Sequence, residues 1–336
     1  MANINQSMAQ VKSEKSAKAV TPRRPIKWGQ VAIYIVLGGG AILALLPFIW
    51  MINWSFMVSD ADITVGKFVP TRLMPDNIRA AQANPEAYIT QEGRDFNVLR
   101  DYIFGNYTTV WEQAEFGKFM WNSARLTAIT VSGLLLFCIP AAYAFARMDF
   151  YGRNVLFAIM LTTLMIPHIV TLIPNFLTVI WISRLSDTLI GLPWMANWPG
   201  LTVPFMASAF SIFLLRQFFS QIPVDLWDAA RIDGANHIQF LIRVVIPLSR
   251  APIMTVVTFA FIGSWNSLLW PLLITPASET WMPIAAALTN FVQTEAGDEF
   301  HWQMAGSVIM VLPILVLYFV TQKQFTEGIY SGSVKS

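Results

Sequence analysis

Six stretches of this chain contain no Asp, Glu, Lys or Arg: residues 28–59, 126–146, 154–183, 188–215, 251–278 and 301–322. A helix needs about 20 apolar residues to cross the hydrocarbon core of a bilayer, and each stretch is long enough to supply them. In lipid the backbone must satisfy its own hydrogen bonds, which a helix does within one segment. Trimmed to their apolar cores, the stretches predict helices near 30–54, 121–146, 155–180, 201–220, 252–275 and 304–322. The expected fold class is therefore an all-α integral membrane protein with six transmembrane helices. A further apolar piece, 282–294, is too short to cross and is expected to be re-entrant or interfacial. Pro167 and Pro174, on either side of His168, predict a kink in the third helix.

Composition supports a membrane setting. Of 336 residues, 55% are hydrophobic and only 12% charged, and the mean hydropathy is +0.52. The net charge of +2 is small and the bases are dispersed, so no nucleic-acid partner is expected. The single Cys138 allows neither an internal disulfide nor a cysteine metal site, and His168, His237 and His301 show no ligand spacing, so no metal is expected.

Basic residues orient the spans. Six Lys or Arg precede the first, Arg147 and Arg153 follow the second, Arg231, Arg243 and Arg250 follow the fourth, and Lys323 and Lys335 follow the last. On the other side the later loops hold Arg184 and the acids Glu279, Glu295, Asp298 and Glu299. The exception is the first external segment, 57–118, with six bases and nine acids, a long segment that contributes little to the bias. This bias places both termini and the loop after span four in the cytoplasm of a cell-membrane protein. The first span is too long for a signal peptide and lacks a small-residue cleavage site, so it is expected to remain as an anchor. The resulting organisation is a cytoplasmic tail (1–28), a first transmembrane helix (29–56) and an enlarged extracytoplasmic segment (57–118). A five-helix core (119–322) containing the loop 224–248 follows, then a cytoplasmic tail (323–336).

That loop reads DLWDAARIDGANHIQFLIRVVIPL and carries Asp225, Asp228, Arg231 and Asp233 within nine residues. Pro223 suits a first helical turn, and Asp225 and Asp228 suit the positive end of the dipole. Ala229 and Ala230 keep the helix slim enough for a groove to approach. Gly234 is expected to end the helix in a left-handed conformation, and Asn236 with Gln239 to cap a second helix over 237–245. An intrahelical Asp228–Arg231 pair would add about 0.2–0.5 kcal/mol. A plain connection between antiparallel helices needs only a few residues, so two capped helices suggest a docking element over a solvated loop.

DAARIDGA followed by IPLSRAP resembles the cytoplasmic EAA loop of the permease subunits of type I ABC importers. AAYAFARMDFYGRN (141–154), SAFSIFLLRQFFSQIP (208–223), FIGSWNSLLWPLLIT (261–275) and the closing FTEGIYSGSVKS resemble the carbohydrate-uptake branch, specifically the smaller subunit of the maltose-type pair. Asp228 stands where that family usually has Glu, segment 57–106 is longer than usual, and GLPWMANWPG (191–200) is a further external addition. The resemblance implies a pore subunit for a sugar or oligosaccharide. Its implied partners are a second homologous permease, two cytoplasmic ABC ATPase subunits, an extracytoplasmic solute-binding protein and membrane lipid. It implies no cofactor on this chain, since ATP and Mg belong to the ATPase subunits, and no GxxxxGK[ST] loop is present here. It also implies an ATPase contact at Asp228, Ala229, Ala230, Arg231, Asp233 and Gly234, with Gly234 setting the bend.

Trp265, Asn266, Ser267 and Trp270, beside Ser264, form a candidate substrate path, because intramembrane polar groups face a bundle interior and sugars stack on indoles. The bland reading is hydrogen bonding and packing between helices. An ion-coupled secondary transporter would want an intramembrane acid, and the six spans hold none. A membrane hydrolase would want a nucleophile with its base or a metal pair. A non-transporting membrane scaffold is disfavoured by the docking loop.

Overall fold

The computed structural model describes residues 28–59, 62, 68–89, 95–112, 115–275, 280–291 and 300–333. Two compact units divide the chain, Met1–Trp50 and Met51–Ser336. In the first, the described residues belong to α1 (Trp28–Ser55), a helix of apolar side chains and three consecutive glycines, Gly38 to Gly40.

The second unit opens with a cap made of a 3-10 turn (Thr71–Leu73), α2 (Pro75–Ala83) and α3 (Gly105–Glu112). Arg72 holds it together. Its guanidinium is buried and donates to the carbonyls of Met57 (3.3 Å) and Tyr102 (2.6 Å) and to Asn106 Oδ1 (2.6 Å). Asn106 in turn donates to the carbonyls of Ser55 and Met57, both at 2.8 Å. Burial pulls the Arg72 pKa below its usual range, and these acceptors compensate the desolvated cation.

The helices that follow are α4 (Phe116–Arg147), α5 (Arg153–Thr162), α6 (His168–Ile190), α7 (Trp198–Thr202) and α8 (Ala209–Gln221). Next come α9 (Val224–Ile232), α10 (His237–Phe240), α11 (Arg250–Trp265), α12 (Leu269–Ile274), α13 (Ile284–Ala287) and α14 (Phe300–Ser333). Among the described residues there is no strand. Among the described residues four helices are long and apolar enough to cross a membrane, or up to six if each of two bent pairs is one span.

Three predicted spans are interrupted. The third is two helices instead of one kinked helix, because Ile166, preceding Pro167, is forced into an extended conformation (φ −86°, ψ 117°). The helix restarts at His168, retains Pro174, and runs to Ile190, where Gly191 ends it at φ 65°. Arg184 thus lies inside α6 and not in a loop. The fourth span bends by 43° between Phe205 and Ala209, where Ser208 accepts from the Ser211 amide. The fifth stops at Trp265 and resumes at Leu269. Two ends also extend the expectation: α4 begins at Phe116 and α14 runs to Ser333.

The spine is α4, which packs against α8 and α11. Leu134, Cys138, Ala142 and Tyr143 of α4 are buried with Leu215 and Phe219 of α8, Phe240, Leu241, Val245 and Val256. Of the short piece expected over 282–294, residues 292–294 lie outside the described residues, and 283–287 are packed inside the protein. Its α13 is buried, Ile284 N–H donates to Ser123 Oγ at 2.8 Å, and Asn122 donates to the Met282 carbonyl at 3.0 Å.

Candidate coupling loop and membrane cavity

Pro223, extended at φ −55° and ψ 141°, immediately precedes α9, and Asp225 occupies its first turn. The helix ends in a Schellman arrangement: Ala235 N–H bonds the Ala230 carbonyl (2.8 Å) and Gly234 N–H bonds that of Arg231 (3.0 Å). Gly234 is left-handed, at φ 80°. Asn236 then caps α10 with Gln239 in a reciprocal box, each side chain accepting from the other's amide at 2.8 and 3.0 Å. The capping pattern expected from the sequence is therefore present. The second helix continues past 245, through a π turn (Leu241–Val245) and Ile246–Leu248, before an 83° bend into α11.

Asp228, Ala229, Arg231, Asp233 and Gly234 are exposed, whereas Ala230 packs towards the core cluster. The Arg231 guanidinium makes no ion pair with Asp228. It lies 6.0 Å from the centroid of the Trp227 ring. Large aliphatic side chains share this surface, with Ile232 88% and Val224 59% exposed.

Four residues to which sequence reasoning assigned no part in supporting the loop hold it. Trp227 stacks on His237 (centroids 4.4 Å, planes 19° apart) and meets Phe240 edge-on at 5.0 Å. His237 Nδ1 lies 2.8 Å from the Tyr143 hydroxyl. Arg147 donates to the carbonyls of Phe219 (2.9 Å) and Ile222, at the end of α8. The available signals were the lone indole in a charged helix and the four-residue spacing of Tyr143 and Arg147 in AAYAFAR.

Within the membrane-spanning part lies a cavity of about 550 Å³. Its wall includes Ser123, Leu126, Thr130 and Leu134 of α4, with His168, Phe205, Ser264, Asn266, Ser267 and Trp270. Each interruption opens onto it: His168 follows the break at Pro167, Phe205 precedes the bend before α8, and Asn266 to Leu268 are the gap between α11 and α12. Trp270 Nε1 donates to the Gly200 carbonyl at 2.9 Å, and its ring meets Phe205 edge-on at 5.6 Å. Asn266 and Ser267 border the cavity with no side-chain hydrogen bond among the described residues. Trp265 lies outside it. Its Nε1 donates to the Met310 carbonyl at 3.0 Å, its ring stacks on Phe261, and it is buried between α11 and α14.

Non-helical backbone at membrane depth, gathered around a largely apolar cavity bordered by a few polar groups, is the arrangement expected of a membrane transport permease. Residues 116–329 match the model of the binding-protein-dependent transport system inner membrane component, and the chain belongs to that family. It is 32% identical over 234 residues to the sn-glycerol-3-phosphate transport system permease protein UgpE of Pectobacterium atrosepticum, covering 68% of this chain and 80% of that protein. It is 30% identical, again over 234 residues, to the arabinooligosaccharides transport system permease protein AraQ of Bacillus subtilis, covering 69% and 79%. A crystal structure of a bacterial ABC transporter involved in the import of the acidic polysaccharide alginate matches with a TM-score of 0.65 at 25% identity, over 90% of this chain and 98% of that one. The chain is thus an ABC importer permease and a multi-pass protein of the cell membrane.

Proposed function

We propose that this chain is one of two pore-forming subunits of an ATP-driven importer for a sugar or oligosaccharide, with α9 as the element on which a separate ATPase subunit docks. The observation that carries this reading is the exposed surface of α9. Four charges in nine residues keep the helix in water, yet Ile232 and Val224 stay uncovered beside them. A capped, anchored helix with such a mixed face is suited to burial in a partner's groove. Asp228, Arg231, Asp233 and Gly234 line that contact and Ala229 permits close approach, while Ala230 supports the helix from beneath.

The Lys and Arg bias puts α9 and both termini in the cytoplasm and the segment 57–118 outside, facing a solute-binding protein. ATP and Mg bind the ATPase pair, whose closure draws the coupling helices together and exchanges inward-facing for outward-facing states. Solute passes the cavity, where Asn266, Ser267 and Thr130 offer amide and hydroxyl groups and Phe205 and Trp270 offer aromatic surface. No lining residue among those described is a carboxylate, ammonium or guanidinium, which suits a polyhydroxylated solute. The names of the arabinooligosaccharide and alginate relatives support that substrate class.

The test is Gly234→Asp, which sets a charged side chain at the bend. Uptake is expected to vanish while the chain still inserts in the membrane and no longer retains the ATPase. ATPase co-purification at the wild-type ratio would overturn the docking role.

A further inference from the structure

The segments on either side of α9 are both held by a single helix. At its entry, Arg147 of α4 binds the carbonyls of Phe219 and Ile222, just ahead of Pro223. Within its first turn, Trp227 stacks on His237, the first residue of α10, and His237 is hydrogen-bonded to Tyr143 of the same α4. Tyr143 and Arg147 are four residues apart and share one face of α4. Further along, α4 supplies Leu134, Thr130, Leu126 and Ser123 to the cavity wall, which at 1.5 Å per residue lie roughly 14–30 Å from Tyr143.

We propose that Trp227, His237 and Tyr143 form a mechanical tie that makes α4 follow α9, so that movement of the docked helix reaches the cavity. These are positioning residues for coupling, not contacts to the ATPase. The inference rests on α9 being the docking element. Two features favour a tie over ordinary packing. The stack fixes the imidazole plane against the indole, and the hydrogen bond fixes that imidazole on a buried tyrosine. A hydrogen bond at 2.8 Å loses its geometry if stretched by about 1 Å, so when α9 shifts, either α4 moves with it or the tie breaks. Without the tie, α9 would remain docked but slide relative to α4, and ATP would be spent without rearranging the cavity.

Two conservative variants remove only the hydrogen bond. Tyr143→Phe deletes the hydroxyl, and His237→Phe keeps an aromatic ring on Trp227. Each would be assembled with the second permease and the ATPase pair in nanodiscs, with spin labels at Leu136→Cys on α4 and Ile173→Cys on α6, both exposed positions. Pulsed electron resonance would report the distance change produced by ATP plus vanadate. In both variants the ATPase is expected to stay bound and hydrolyse ATP, while the distance change falls at least twofold. The double variant should be no worse than either single one, as shared loss of one bond requires. An undiminished distance change with the ATPase bound, or losses that add, would overturn the tie. Lower thermal stability with the distance change intact would show packing alone and overturn it too. Failure of the ATPase to bind even the unsubstituted permease would instead remove the docking role on which the tie rests.

Discussion

Gly234→Ala isolates the backbone contribution of the bend after α9. Gly234 sits at φ 80°, and a Cβ placed there would meet no atom within 4 Å. The substitution therefore carries no clash, only the left-handed penalty of about 1–2 kcal/mol for a residue with a Cβ. If the free loop relaxes and the docked loop cannot, that penalty appears in binding as a roughly 5- to 30-fold weaker affinity for the ATPase subunit. Gly191, the left-handed residue that ends α6, is a matched control: φ is 65° and nothing lies within 4 Å of its Cβ either. Gly191→Ala should cost similar stability and leave ATPase affinity unchanged. The assay is titration of labelled ATPase onto the permease pair in nanodiscs, with a thermal melt of each variant. Wild-type affinity for Gly234→Ala, or equal affinity losses in both variants, would refute the reasoning.

Three other substitutions separate the cavity from its supports. Asn266→Ala removes a group that borders the cavity and should raise the half-saturation concentration for uptake about fivefold, the value of one hydrogen bond near 1 kcal/mol; an unchanged value counts against substrate contact. Trp265→Phe deletes the bond to the Met310 carbonyl and should lower stability by about 0.6 kcal/mol, with half-saturation unaltered; a shifted half-saturation would place Trp265 on the path after all. Gly200→Ala would bring a Cβ to 2.2 Å from the Trp194 carbonyl oxygen, a backbone atom that cannot swing aside. A destabilisation of about 1–3 kcal/mol should show in the melting temperature, and an unshifted melt would contradict that close approach.

How much of this was legible in the sequence depended on the range of the interactions involved. The spans followed from local apolar length, and the two ends of the bend followed from local capping chemistry at Gly234, Asn236 and Gln239. The break at Ile166 was half visible, since Pro167 announced a disturbance but not a complete restart at His168. Arg184 and Asp187 hid the last turns of α6, because charge was taken to end a span. Asn266 itself is the only local signal of a helix end there, and a weak one, for no glycine or proline follows until Pro271. The tie from His237 to Tyr143 joins residues 94 apart, and only packing brings them together. Trp265 and Asn266 are sequence neighbours with opposite surroundings, a distinction set by which face of α11 meets α14.

The interruptions have separate causes, a proline at 167, a serine cap at 208 and a helix end capped by Asn266, yet all of them face one cavity. A break in lipid would strand backbone donors and acceptors at a cost of several kcal/mol each, so breaks persist where protein or water can satisfy those groups. The cavity wall is therefore where this bundle tolerates its backbone breaks. Facing the broken helices, α4 runs unbroken for 32 residues from Phe116 to Arg147, with Pro140 inside it. A continuous member opposite segmented ones transmits displacement along its length, while the segments absorb it at their joints. Under the proposed cycle, a shift delivered to Arg147 and Tyr143 would be spent at Asn266 to Leu268 and near His168. His168, Asn266 and Ser267 stand at those joints, so under that cycle the motion that changes access would also change what the solute meets.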